Sequence, residues 1–262
     1  MITKDELALI PYEEIERIRN LDAPDETVTG LFADICRVNT LYMISFAGSG
    51  HVGSSLSAMD IVSYLHLSLM KNVGKENNDI YFSSKGHDAP GLYSLLIGLG
   101  LLPFENIHKL RRLGGLPGHP DIDTPHISTN TGSLGMGISK AKGMALADRL
   151  NGIKRNYYVL LGDGELQEGQ IWESLQSAAN RGFGEITAIV DHNKLQSDTL
   201  VSEVSDLGDL EDRISANGWV VARCDGHDYN SLREAFDKLS KAGDKPRLLI
   251  ADTIKSKGAC LM

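Results

Sequence analysis

The chain has 262 residues, 42% hydrophobic and 23% charged, proportions that let a globular protein bury a sizeable core. Its 26 lysines and arginines against 35 aspartates and glutamates give a net charge of −9, with no basic run or interleaved aromatic stripe, which argues against a nucleic-acid partner. No apolar run of about 18 residues occurs, and the opening Met1-Ile2-Thr3-Lys4-Asp5-Glu6 lacks the order of a signal peptide, so a cytoplasmic protein with no membrane partner is expected.

A charged helical period from Asp5 to Asn20 opens the chain. Leu31, Ile35, Val38 and Tyr42 then recur at spacings of three or four and predict a helix from about Asp25 to Phe46, stopped by Gly48-Ser49-Gly50. A further helix is expected over Ala58 to Met70, capped by Ser57 or Ser55, followed by a short strand, Asp79 to Phe82. Helices are predicted from Gly91 to Ile97 and Phe104 to Leu113, and Gly114 to Asn130 reads as a long functional loop carrying His119 and His126.

From Thr131 onward the pattern is regular. Helices over Gly135 to Leu150, Gln170 to Asn180, Asp209 to Ala216 and Ser231 to Lys241 alternate with strands over Tyr157 to Leu161, Ile186 to Val190, Trp219 to Ala222 and Arg247 to Asp252. Such alternation implies right-handed crossovers and an α/β fold: a doubly wound, mostly parallel sheet with helices on both faces. No repeat or linker divides the chain, so one domain over 1–262 is expected, with an N-terminal helical extension over about 1–46. Cys36, Cys224 and Cys260 lack CxxC spacing and read as buried free thiols rather than as a disulfide framework or zinc site.

The strand Tyr157 to Leu161 ends in Gly162-Asp163-Gly164 and runs into a helix. Ligands bind beyond the carboxyl ends of strands in open parallel sheets. The glycines permit close backbone approach, a helix N-terminus offers N–H groups to phosphate, and Asp163 offers a hard oxygen to a cation. The strand Ile186 to Val190 ends in Asp191-His192-Asn193-Lys194, which brings Asn193 beside Asp163 if the two strands are neighbours. Carboxylate, amide and backbone oxygens together with diphosphate oxygens suit Mg²⁺, whereas zinc would call for nitrogen or sulfur.

The run Gly162-Asp163-Gly164-Glu165-Leu166-Gln167-Glu168-Gly169, with Asn193 at the matching spacing, resembles the thiamin-diphosphate signature of transketolases. Ser49-Gly50-His51-Val52-Gly53-Ser54-Ser55, Ser84-Lys85-Gly86-His87, Gly118-His119-Pro120 and Thr131-Gly132-Ser133-Leu134-Gly135-Met136-Gly137 are similar to further motifs of that family, in its order. The resemblance covers about Leu41 to Met262, and a length ending here resembles the N-terminal subunit of a split transketolase.

The resemblance implies thiamin diphosphate and Mg²⁺ as cofactors, with Ca²⁺ or Mn²⁺ as substitutes for the cation. Asp163, Asn193 and the Leu195 carbonyl would hold the metal. His51, His87, Gly162, Gly164 and Glu165 would line the cofactor, the Gly132 backbone would meet the aminopyrimidine, and Leu134 would pack near its ring. His51 and His119 would hydrogen-bond the sugar and move protons. Glu168 would join a network at the interface with a partner. That partner, a separate C-terminal subunit, would carry the pyrimidine-binding domain and the activating glutamate in an α2β2 assembly that passes a two-carbon ketol unit between sugars or sugar phosphates. His66 and His108 are read as structural.

The sequence departs from the family pattern at Val52 for proline, Met136 for glutamine, His126 for glycine and Asp198-Thr199, where glycine is expected after the aspartate. Thr253-Ile254-Lys255-Ser256-Lys257-Gly258 resembles the end of the family's domain, and the sequence stops before the histidine that follows there, so that role is expected to be supplied elsewhere or lost. The alternatives are another thiamin-diphosphate enzyme, such as a 1-deoxyxylulose-5-phosphate synthase or a 2-oxoacid dehydrogenase component, and a non-catalytic nucleotide-binding domain. The latter calls for a GxGxxG after the first strand, and no such run opens the parallel sheet.

Overall fold

A computed structural model of the protein describes residues 7–197 and 199–259, so Asp5, Glu6, Asp198 and Cys260 lie outside the described residues. The chain forms two compact units: Met1–Leu69 with His87–Asn130 and Ser256–Met262, and Met70–Gly86 with Thr131–Lys255. The boundaries fall within ordinary sequence, which is why no linker composition marks them.

The first unit is helical. Its helices are α1 (Tyr12–Arg19), α2 (Asp25–Ala47), α3 (Val52–Ser57), α4 (Met59–Tyr64), continued by a π-helical turn over Leu65–Leu69, and α5 (Ala89–Gly98). Helix α2 ends as expected at Gly48, whose φ of 76° is left-handed and whose N–H returns to the Ile44 and Ser45 carbonyls. Its buried face carries Phe32, Ala33, Cys36 and Met43. Gly98 of α5 lets the two helices close, since a Cβ there would lie 3.0 Å from the Phe32 ring.

Two expectations are corrected in this unit. Helix α4 is capped by neither Ser57 nor Ser55: Ala58 is its N-cap, while Ser55 Oγ donates to the His51 carbonyl (2.8 Å) and Ser57 Oγ to that of Ser54 (3.3 Å). These serine hydroxyls return to their own preceding turn, and the glycine- and serine-rich run forms the unforeseen α3, packed between α2 and α5. The helix expected over Phe104 to Leu113 is a single 3₁₀ turn, Phe104–His108, after which Arg111 takes a left-handed φ of 55° and breaks any helical continuation.

The second unit is built on a five-stranded sheet of β1 (Ile80–Ser83), β2 (Tyr157–Gly162), β3 (Ile186–His192), β6 (Val220–Asp225) and β7 (Arg247–Asp252), in the order β1-β2-β3-β7-β6 with every pairing parallel. Two short strands, β4 (Leu195–Gln196) and β5 (Thr199–Leu200), form a separate antiparallel pair. Burial of β2 and β3 along nearly their whole length explains their continuous apolar runs.

Helices α6 (Gly137–Leu150), α7 (Gly169–Asn180) and α9 (Leu210–Ala216), with the one-turn α8 (Val201–Val204) before it, are followed by α10 (Tyr229–Ser240). Ile138, Ala141, Ile171, Leu175 and Ile214 pack with Val159, Leu161, Ala188 and Val190 in one apolar cluster. The crossover through α9 skips past β7 to β6 and the one through α10 steps back, so right-handed connections put α9 and α10 on opposite faces. The doubly wound α/β expectation holds.

Candidate functional site

Strands β2 and β3 are hydrogen-bonded neighbours, with Gly162 paired to Asp191, so the polar residues that follow both strands converge as the sequence predicted. The Asp163 carboxylate is 3% exposed; Oδ1 accepts the Gly164 N–H at 2.8 Å, and Oδ2 accepts the Lys194 N–H in a short contact. Lys194 can aim its N–H there because it takes a left-handed φ of 68°. Asn193 Oδ1 accepts the Leu195 N–H (3.1 Å) and its Nδ2 donates to Asp191 Oδ2 (3.3 Å). Asp163, Asn193 and the Leu195 backbone therefore belong to one small cluster.

Three carboxylates, Asp163, Glu165 and Asp191, are buried at the ends of these strands, and the buried Lys85 ammonium pairs with Asp191 at 2.6 Å. Burial chiefly, then the charge of Asp191, raises Asp163 above the usual carboxylate range, opposed by the Lys194 and Gly164 N–H groups. The charge excess and the all-oxygen donor set fit a hard divalent cation. Among the described residues no group of three or more His, Cys, Asp or Glu could hold a metal.

Close backbone approach is visible at two glycines. Gly86 has a φ of 60°, and a Cβ on it would lie 2.7 Å from the Gly132 nitrogen, so the turn after β1 lies against the Thr131 to Gly137 loop. A Cβ on Gly164 would meet Gln196 Oε1 at 2.7 Å. In the Thr131 to Gly137 loop Leu134 and Met136 are 38% and 36% exposed.

Glu165, expected to line the cofactor, turns its carboxylate inward, where it accepts from the Ser84 hydroxyl, the Gly135 N–H (2.8 Å) and the Gly162 N–H (3.1 Å). Glu168 is exposed and is the N-cap residue of α7.

The histidines lie in the first unit. His51, exposed, precedes α3, and its ring centroid is 5.2 Å from that of His87. His119 is exposed, its carbonyl accepting from Tyr93 OH at 3.2 Å. His66 Nδ1 bonds the Val62 carbonyl (2.8 Å) and His108 Nδ1 the Tyr42 hydroxyl (2.8 Å), contacts that account for both as structural groups.

Two departures have physical readings. Val52 is the first residue of α3, where proline is favoured because the N–H has no helical acceptor. His126 has a φ of 65°, a conformation that favours glycine. Asp198 lies outside the described residues.

Sequence reasoning assigned no role to Lys85, Asp191 or Thr253. Lys85 Nζ contacts Asp191 Oδ2 at 2.6 Å and Thr253 Oγ1 donates to Asp191 Oδ1 at 2.5 Å. The available signal was a lysine and an aspartate at the carboxyl ends of two apolar strands. Cys36 and Cys224 are buried free thiols, both pushed up to about 12 by burial above all, which makes them inert.

Residues 28–262 match the family described as "Transketolase, thiamine diphosphate binding domain". The 6-deoxy-6-sulfo-D-fructose transketolase subunit SqwG of Clostridium sp. (strain MSTE9) is 40% identical over 87% of this chain and 85% of its own length. One of the subunits of the apulose-4-phosphate transketolase of Phocaeicola vulgatus is 35% identical over 82% of this chain and 79% of its own. The crystal structure of transketolase from Campylobacter jejuni superposes with a TM-score of 0.83 at 31% identity, covering 92% of this chain and 39% of that one, so the chain spans about two fifths of the solved enzyme. The cluster on β2 and β3 thus occurs in a chain that belongs to the transketolase family and corresponds to its thiamin-diphosphate-binding domain.

Proposed function

We propose that the protein is the N-terminal, cofactor-binding subunit of a two-chain transketolase that transfers a two-carbon ketol unit from a ketose or ketose phosphate to an aldose, in the cytoplasm. The observation that carries the reading is the convergence of Asp163 with the Asn193-Lys194-Leu195 turn at the carboxyl ends of β2 and β3. Asp163, Asn193 and the Leu195 carbonyl hold Mg²⁺, and Gly162 and Gly164 give the diphosphate access to backbone N–H groups. The Gly132 backbone and the exposed Leu134 receive the ring portion. Thiamin diphosphate, when bound, supplies the chemistry of carbon–carbon cleavage.

In the first unit, His87 contributes to diphosphate binding, and His51 and His119 exchange protons with sugar hydroxyls, a role suited to exposed imidazoles. Glu168 faces the partner. The subunit relatives support a separate partner chain; in our reading that chain carries the pyrimidine-binding domain and the activating glutamate, in an α2β2 assembly. No helix among the described residues is long and apolar enough to cross a membrane.

Calorimetry of the chain reconstituted with its partner, titrated with thiamin diphosphate and Mg²⁺, tests the reading. Binding is expected, with loss in Asp163→Ala. Binding indifferent to that substitution refutes the cofactor site, and CO₂ release from pyruvate in place of ketol transfer refutes the reaction.

A further inference from the structure

We infer that Lys85 and Thr253 are positioning residues that act through Asp191 on the amide of Asn193, an inference that rests on the cation site proposed above. Asp191 is fully buried and its carboxylate accepts from three directions: Lys85 Nζ on Oδ2 (2.6 Å), Asn193 Nδ2 on the same oxygen (3.3 Å) and Thr253 Oγ1 on Oδ1 (2.5 Å). An ionised carboxylate can only accept, so it selects the NH₂ end of the Asn193 amide and turns Oδ1 to the opposite side. There Oδ1 meets the Leu195 N–H, within the turn whose Lys194 N–H holds Asp163. A carbonyl oxygen has two lone pairs, so it can accept this bond and still ligate a cation.

The three holds on Asp191 come from different parts of the sheet. Lys85 follows β1 and passes over the end of β2, its Cδ 3.7 Å from where a Cβ on Gly162 would stand, to reach β3. Thr253 extends β7, its N–H donating to the His192 carbonyl at 3.2 Å, and the next residue is pinned by the Ile254 N–H to His227 Nε2 at 2.9 Å. Lys85 holds one oxygen of the buried carboxylate and Thr253 the other, which fixes its rotation. Groups that orient a metal ligand affect affinity nearly as much as the ligands do, by about 10-fold to 100-fold.

The test titrates the complex of full chain and partner with Mn²⁺ at saturating thiamin diphosphate and reads free Mn²⁺ by electron paramagnetic resonance. Asp191→Asn and Thr253→Val are expected to weaken Mn²⁺ about 10-fold or more, and Thr253→Ser to retain wild-type affinity. In an Asn193→Ala background Thr253→Val should add nothing, a non-additivity that general loss of stability does not produce. Unchanged affinity in Thr253→Val while Asn193→Ala weakens it overturns this inference and leaves the cation site standing, as does a lower melting temperature with unchanged affinity. Failure of the wild-type complex to bind Mn²⁺ overturns the site itself. Should Asp191→Asn not fold, the Thr253 pair decides.

Discussion

The Ser84 hydroxyl, just beyond β1, donates to Glu165 Oε1, the same oxygen that accepts the Gly135 N–H, so one buried carboxylate ties two loops to the end of β2. Glu165→Gln keeps the shape and replaces one acceptor oxygen with a donor that faces other donors. A loss of about 1–3 kcal/mol is expected, read as a lower midpoint in urea unfolding at unchanged slope.

Helix α6 contains its own control. A Cβ at Gly137 would lie 2.4 Å from Ser84 Cβ and 2.9 Å from Val159, whereas one at Gly143 would meet nothing within 4 Å. Gly137→Ala is expected to destabilise by about 1–3 kcal/mol through overpacking. Gly143→Ala should stabilise by about 0.5–1 kcal/mol, because alanine loses less backbone entropy in a helix. Thermal melts of the two variants should move in opposite directions.

His66 makes stability depend on pH. Burial lowers its pKa from 6.5 to about 4, against the raising effect of its bond to the Val62 carbonyl. Above pH 6.5 the imidazole is neutral in both states and its contribution is complete; as pH falls towards 4 only the unfolded chain takes up the proton, and stability falls. The loss approaches about 3 kcal/mol. In His66→Leu the unfolding free energy should lack this part of the slope, which denaturation at pH 7 and pH 4.5 can measure.

Exposure of His51 and His119 separates catalysis from folding. Alanine at either position is expected to lower ketol transfer by the reconstituted enzyme about 10²-fold to 10⁴-fold, while stability stays within about 0.5 kcal/mol. A stability loss that tracks the activity loss would instead assign them to the fold.

What could be read from the sequence followed physical contrast. The strands Tyr157 to Leu161 and Ile186 to Val190 stand out because burial on both faces demands unbroken apolar runs, and their polar endings pointed to Asp163 and Asn193. Helix α3 was invisible because Gly-Ser runs favour loops, whereas burial of Ser54 to Ser57 against neighbouring helices, a tertiary effect, holds it helical. The 3₁₀ turn at Phe104–His108 shares its apolar spacing with an α-helix. The Lys85 to Asp191 pair joins strands separated by a third, a relation that exists only once the order β1-β2-β3 is known.

The interleaving of the two units bears on how the protein is made. Strand β7 lies between β3 and β6, and Ser256 donates to the Gly53 carbonyl at 3.1 Å. Both contacts wait for residues 247–256, so each unit is completed by a segment far along the chain from the segments that open it. Domains usually fold in turn as they emerge, N-terminal first. Here the nascent chain carries an apolar β3 with one edge open until residues 247–252 of β7 have emerged, which makes this interval the one in which a holding chaperone matters most.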